Sequence, residues 1–193
     1  RAEYRMLLRQ DNADQRLTSM SHKIGLASDE RLEACKQKYK DSNSLIDFLK
    51  KQSITPKEIN PVLNTKKSSP IKQSGKADKI LSRPNIYIKD LKKCASIDSF
   101  ISKNNFEQEV QDQAEIQIKY SGYINKEKNN ADKLNRLEAV RIPKDFDYKN
   151  LKSISSEAME KLIKIKPETI SQASRISGVS PNDVSVLLVY MGR

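Results

Sequence analysis

The sequence predicts an all-α fold: several helices around one long central helix, a small helical bundle at the C-terminal end, and a short strand or turn at the N-terminus. Three observations carry this. Residues 106–140 run without proline and hold two apolar stripes, Val110, Ala114 and Ile118 on one and Ile116, Tyr120, Tyr123 and Ile124 on the other. A helix apolar on two sides packs against neighbours on two sides. Helix start and stop signals recur along the chain, from Ser28 to Ser180-Pro181. Glycine is scarce, five in 193 residues, and tryptophan is absent, which disfavours both a Gly-rich nucleotide loop and an all-β fold.

Taken in order, residues 1–18 fit two templates. Ala2, Tyr4, Met6 and Leu8 alternate with polar positions, broken by Leu7, as a half-buried strand would; a helix also fits. Either way Arg1, Arg5 and Arg9 share a face, because a spacing of four suits both periods. Residues 11–14, Asp-Asn-Ala-Asp, read as an Asx turn. Three aligned arginines suit bidentate phosphate contacts, and equally suit salt bridges to Glu3, Asp11 and Asp14.

Thr18 or Ser19 is expected to cap a short helix that reaches Ile24 and stops at Gly25. Ser28 caps the next, with Asp29 and Glu30 in its first turn, running to about Lys51. Between residues 53 and 78 the composition turns to Pro, Ser, Gly and Lys. Thr55-Pro56 can start one short helix there, and the remainder reads as a surface loop or mobile linker. Residues 66–103 hold ten Lys or Arg against three Asp, the densest positive field in the chain. Short helical pieces flank Arg83-Pro84, Phe100 and Ile101 lead into the central helix, and Ile142-Pro143 ends it.

In the last fifty residues Ser155 or Ser156 starts a helix that Pro167 breaks, and Ile170, Ala173 and Ile176 form a short second one closed by Gly178. Ser180-Pro181-Asn182-Asp183 starts the final helix. Its inner face is Val184, Leu187, Leu188 and Met191, while Val186, Val189 and Tyr190 make other sides apolar. Such a helix is either deeply buried or a docking surface. The expected organisation is therefore 1–18, 19–140 with the basic linker at about 53–78, and 141–193.

Composition narrows the function classes. A net charge of +11 points to phosphate or an acidic partner, although the Lys excess beside many Asn and Ile is also what an AT-rich genome yields. No apolar run approaches a membrane span and no signal peptide opens the chain, which reads as cytoplasmic. Cys35 and Cys94 have no metal or redox spacing, and His22, the single histidine, has no nucleophile in a suggestive context. No catalytic set, cofactor loop or metal cluster is expected. A start at Arg1 inside an ordered element suggests a piece of a longer protein. Residues 170–191 resemble a helix-turn-helix, but the second helix offers Asn182 and otherwise Val, Leu and Tyr to base edges. A packing or docking module fits better.

Five stretches occur in order: Arg1-Ala-Glu-Tyr-Arg5, Leu8-Arg-Gln-Asp-Asn-Ala-Asp14, Glu115-Ile-Gln-Ile-Lys-Tyr-Ser-Gly-Tyr-Ile124, Ile142-Pro with Phe146-Asp-Tyr148, and Gln172-Ala-Ser-Arg-Ile-Ser-Gly-Val-Ser-Pro181. Together they resemble the C-terminal part of the GidA/MnmG family, flavin-containing tRNA uridine 5-carboxymethylaminomethyl modification enzymes. The resemblance implies FAD, NADH, a methylene-tetrahydrofolate carbon donor and glycine or ammonium. It also implies a homodimer and a GTPase partner of the MnmE/TrmE type, acting on the wobble uridine. The family's flavin site and catalytic cysteines lie upstream, so neither transfers to Cys35 or Cys94, and residues 1–18 become the edge of the flavin domain. The family's helical region is linked to tRNA binding and GTPase docking. That makes Arg1, Arg5, Arg9, Arg16 and Lys119 the tRNA-binding candidates, and Arg175, Val186, Val189 and Tyr190 the partner-docking candidates. A pure scaffold for the flavin domain is the alternative.

Overall fold

Local capping chemistry sets most of the helix boundaries in the computed structural model, which describes residues 4–151 and 153–192, the side chains of residues 134, 138 and 139 excepted. In chain order the elements are α1 (Ala13–Lys23), α2 (Asp29–Lys51), β1 (Ser53–Ile54), α3 (Pro56–Thr65), β2 (Gly75–Lys76) and α4 (Ala77–Leu81). Then come α5 (Ile88–Leu91), α6 (Ala95–Lys103), α7 (Gln108–Ala139), a 3-10 turn at Tyr148–Asn150, α8 (Ser156–Ile165), α9 (Ile170–Ser174) and α10 (Pro181–Tyr190). The fold is all-α, with β1 and β2 forming a single antiparallel pair, Ser53 opposite Lys76 and Ile54 opposite Gly75. The chain divides into two compact units, Arg1–Asn125 and Lys126–Arg193, with the two halves of α7 in different units.

In the first unit α2 starts where the Ser28 hydroxyl accepts the Arg31 N–H at 3.3 Å. Replacing Ser28 with alanine orphans that donor and should cost about 1 kcal/mol, read as a lower urea midpoint at unchanged slope. At α3 both the Thr55 N–H and its hydroxyl donate to Glu58, at 2.9 and 2.6 Å, and these bonds hold the Glu58 carboxyl below its ordinary pKa. The core gathers Leu45 and Leu49 of α2, Ile59 and Leu63 of α3, Leu81, Leu91 and Ile97, with Val110, Ala114 and Ile118 of α7 against them. Phe48 and Phe100 stack at 3.8 Å between ring centroids, joining α2 to α6.

Four expectations need correction. Residues 4–10 form turns, neither strand nor helix, with Tyr4 at a positive φ of 56°. The first helix begins at Ala13, not at Thr18 or Ser19, and Thr18 is buried inside it. The Asx chemistry at 11–14 serves the entry to that helix: the Asn12 side-chain oxygen accepts the Arg9 N–H at 3.2 Å and Arg16 Nε at 3.0 Å. Beside the expected helix from Thr55-Pro56, residues 53–78 hold β1 and β2, and the stretch supplies Ile59, Val62, Leu63 and Ala77 to the core where the composition reads as a linker. Asn60 ties the intervening loop down, exchanging bonds of 3.0 and 2.8 Å with the Ile71 backbone. Finally, Phe100 and Ile101 belong to α6, separated from α7 by a break where Asn105 takes φ 49°.

The two α7 stripes pack unequally, with Ile116 and Ile124 of the second half-buried. Val110, Ala114 and Ile118 are buried, whereas Tyr120 is 44% and Tyr123 65% exposed. Tyrosine supplies apolar periodicity yet carries a hydroxyl content in water, so its spacing alone does not distinguish a core stripe from an exposed one.

In the second unit Ile142, Tyr148, Leu151, Leu162, Ile170, Ala173, Val184 and Leu187 form the core. An antiparallel bridge, Arg141 to Thr169, pins the entry and return of the chain. Ser155 caps α8, accepting the Ala158 N–H at 3.2 Å, and Lys166 ends it in the left-handed region at φ 49°. Asp183 is buried and works twice. It accepts the Ser180 N–H at 2.8 Å at the start of α10 and the Ser155 N–H at 3.0 Å at the start of α8. Gly178, at φ 92°, closes the α9 turn in a conformation that L side chains rarely adopt.

Candidate nucleic-acid interface and docking face

The arginine row at the start of the first unit is partly spent on folding. Arg9 grips Asp11 bidentately, Nε and Nη2 each 2.9 Å from a carboxylate oxygen, and donates to the Met6 carbonyl at 2.7 Å. The hydrogen bond from Arg9 holds the Asp11 carboxyl below its ordinary range, against the cost of burial. Arg16 bonds Asn12 and reaches the Arg9 carbonyl at 3.3 Å. Arg5 is exposed, and Arg1 lies outside the described residues. The single spacing of four that aligned these residues therefore splits between Arg9, bound to Asp11, and Arg5, facing solvent.

Beside the row, Asp14 joins α1 to α2. Burial alone would raise its pKa, but bonds from Lys38 at 2.8 Å and Tyr39 at 2.5 Å hold it low. Lys38 also pairs with Glu109 of α7 at 3.3 Å. Lys119 is largely covered: its ammonium pairs with Glu115 at 3.5 Å and lies 4.2 Å from the centroid of the Tyr87 ring. Residues 66–103 carry their positive excess on the surface, with Lys67, Lys72, Lys76, Lys79, Lys89, Lys93 and Lys103 exposed. The contacts of Tyr87 were not legible from sequence, because residues 66, 87–89 and 119 meet only in three dimensions.

At the other end of the chain, Val189 is 70% and Tyr190 47% exposed, Val186 is half-buried and Arg175 exposed. Of the two readings open for an all-round apolar helix, α10 buries Val184 and Leu187 and leaves Val189 and Tyr190 outside. Ile165, also exposed, adds apolar surface to this unit; at the end of a helix before Pro167 it carried no signal of its own. On α10 the exposed polar side chains are Asn182 and Ser185, and the Ser185 hydroxyl bonds the Pro181 carbonyl at 3.0 Å. That is a thin set for reading base edges.

Among the described residues no group of three His, Cys, Asp or Glu is placed to hold a metal ion. Cys94 is buried, and burial pushes its thiol up to about 11, leaving it protonated and a poor nucleophile. His22 bonds Asp29 at 2.7 Å at the surface. A groove of about 870 Å³ beside α1, α2 and α7 is lined by Asp11, Asp14, Glu109 and Asp112 against Arg31 and Lys38. With carboxylates in excess it is a poor seat for the pyrophosphate of FAD or NADH. No described helix is long and apolar enough to cross a membrane.

A basic, helical chain of two units, with exposed lysines on the first and exposed apolar side chains on the last helix, is the class so defined. Residues 29–128 match the family model of the tRNA modifying enzyme MnmG/GidA C-terminal helical domain, and residues 130–193 match that of its C-terminal helical bundle. The chain belongs to the MnmG/GidA family. It is 60% identical over 193 residues to the tRNA uridine 5-carboxymethylaminomethyl modification enzyme MnmG of Christiangramia forsetii, covering all of this chain and 31% of that protein. The MnmG of Flavobacterium psychrophilum is 57% identical over the same span, again with 31% of that protein covered. Aquifex aeolicus GidA, in its form II crystal, superposes with a TM-score of 0.60 at 32% identity, covering 100% of this chain and 29% of that one. The chain thus spans about a third of the length of the relatives it matches.

Proposed function

We propose that this chain is the recognition module of an FAD- and NADH-dependent enzyme that installs the 5-carboxymethylaminomethyl group on the wobble uridine of tRNA. Its first unit binds tRNA, and its last helices dock a GTPase of the MnmE/TrmE type; flavin and catalytic cysteines belong to the rest of a homodimeric enzyme. The relatives' names support the tRNA context. The observation that carries tRNA binding is the positive excess of residues 66–103 at the surface, with Arg5 exposed in the same unit. Exposed Val189 and Tyr190 carry the docking half, since apolar side chains left in water at a helix end are suited to burial by a partner.

Val189→Asp and Tyr190→Ala test the docking half. Both sites are exposed, so thermal unfolding should stay within about 0.5 kcal/mol of the parent. GTPase pull-down should weaken by roughly fivefold or more, as expected for an interface residue worth over about 1 kcal/mol. Undiminished capture by both variants rejects α10 as the docking face.

The scaffold reading has its own support: Arg9, Arg16 and Lys119 all spend their charge inside the chain. It expects Arg5→Ala to leave tRNA affinity unchanged. The tRNA reading expects a loss of a few-fold and a log–log salt slope shallower by about 0.7 to 0.9.

A further inference from the structure

Tyr87 collects cations. The ammonium groups of Lys119, Lys89 and Lys66 lie 4.2, 5.3 and 5.5 Å from the centroid of its ring. The three come from separate segments, α7, α5 and the end of α3, and the ring's negative face favours each. Two carboxylates stand among them, each divided between an ammonium and a backbone donor. Asp90 pairs with Lys66 at 3.2 Å and accepts the Tyr87 N–H at 3.0 Å. Glu115 pairs with Lys119 at 3.5 Å and accepts the Ile88 N–H at 2.7 Å. These bonds fasten the start of α5 to α7 and so hold the lysines together. Asp112 lines the small recess next to Lys89 and Tyr87. Residues 66–103, to which Lys66 and Lys89 belong, hold ten Lys or Arg against three Asp.

On α7 beside and one turn beyond Lys119 stand two open aromatic rings. Tyr123 follows Lys119 by one helical turn on the same side of α7. Its ring is 6.4 Å from that of Tyr120, and both are exposed. Lysines gathered beside uncovered aromatic rings match what a single strand offers, a phosphate every nucleotide and a base with a π-face.

We propose that Lys89, with the ion-paired Lys66 and Lys119 beside it, holds a phosphate of an unpaired RNA segment, while Tyr120 and Tyr123 stack its adjoining base. This rests on the tRNA reading and narrows it to unpaired nucleotides, seated away from the arginine row. Exposed tyrosines also suit protein interfaces, so RNA is favoured over an acidic protein segment by the tRNA reading on which the proposal rests.

The test is equilibrium binding of the intact protein to whole tRNA, to a short single-stranded oligoribonucleotide, to the same strand with abasic sites, to an RNA duplex and to polyglutamate. The strand with bases should bind roughly 5- to 150-fold tighter than the abasic one. Tyr123→Ala with Tyr120→Ala should erase that ratio, whereas Tyr123→Phe keeps it. Lys89→Gln, at an exposed position, should reduce the log–log salt slope on the strand by about 0.7 and leave the base-dependent ratio in place. Equal affinity for strand and abasic strand, a ratio untouched by the tyrosine pair, or stronger binding of duplex or polyglutamate overturns the proposal. If whole tRNA then still binds with a steep salt dependence, the tRNA reading stands without it. Absence of any salt-dependent tRNA binding overturns both.

Discussion

Replacing Asp183 by alanine should destabilise the protein by about 2–3 kcal/mol, because a buried carboxylate's bonds to two part-buried backbone donors and a helix cap are lost together. The Ser155 and Ser180 N–H groups would have no acceptor, and α8 and α10 would lose the one side chain that joins their starts. Asp183→Asn keeps one carbonyl oxygen and should cost less. The pH dependence follows from the same geometry. The Asp183 carboxyl is held below its ordinary pKa, chiefly by the bond from the Ser180 hydroxyl and then by the Ser155 N–H, against burial. The unfolded chain therefore takes up the proton first as pH falls. The contribution is complete above the unfolded carboxyl pKa of about 3.9 and is lost as pH drops through the folded value. Asp11 and Asp14, also held low, act in the same direction in the first unit. Urea titrations between neutral pH and about pH 3 should show Asp183→Ala losing less stability to acid than the parent. An identical acid loss in both would remove Asp183 from the account.

The second large effect is electrostatic. If the first unit neutralises about four tRNA phosphates, raising monovalent salt fourfold should weaken binding by roughly 50- to 150-fold, from a slope of about −0.7 to −0.9 per phosphate. Four is a modest footprint for a surface with this many exposed lysines. The measurement is a tRNA titration of the intact protein at four or more salt concentrations. A flat line would return the positive charge to composition, as the Lys-rich, Asn-rich sequence also allows.

Much of the fold was legible because it is written in local chemistry. Ser28, Thr55-Pro56, Ser155 and Ser180-Pro181 announce helix starts within three or four residues of themselves, and α2, α3, α8 and α10 begin there. What was missed depends on residues that meet across the chain. Asp11 and Asn12 look like a free turn until Arg9 and Arg16 close on them and α1 follows. The remainder of the Pro- and Ser-rich stretch reads as a loop or linker, and only the structure shows Asn60 tying Ile71 to the helix that Thr55-Pro56 starts. The candidate site divides the same way. The exposed end of α10 was visible as surplus apolar residues, while the company of Lys119 was not, since Glu115 alone of its partners lies on the same helix. Tyr120 and Tyr123 were seen as periodic and misjudged as packed, because a period does not say which stripe faces water.

Hydrogen exchange of the intact protein, with tRNA and separately with the GTPase partner, tests the central claim most directly. The account predicts that tRNA slows exchange in residues 66–103 and the first half of α7, and that the GTPase slows it in α10. Protection by tRNA confined to regions outside residues 4–125, or by neither ligand anywhere in this chain, would contradict it and leave the module a scaffold.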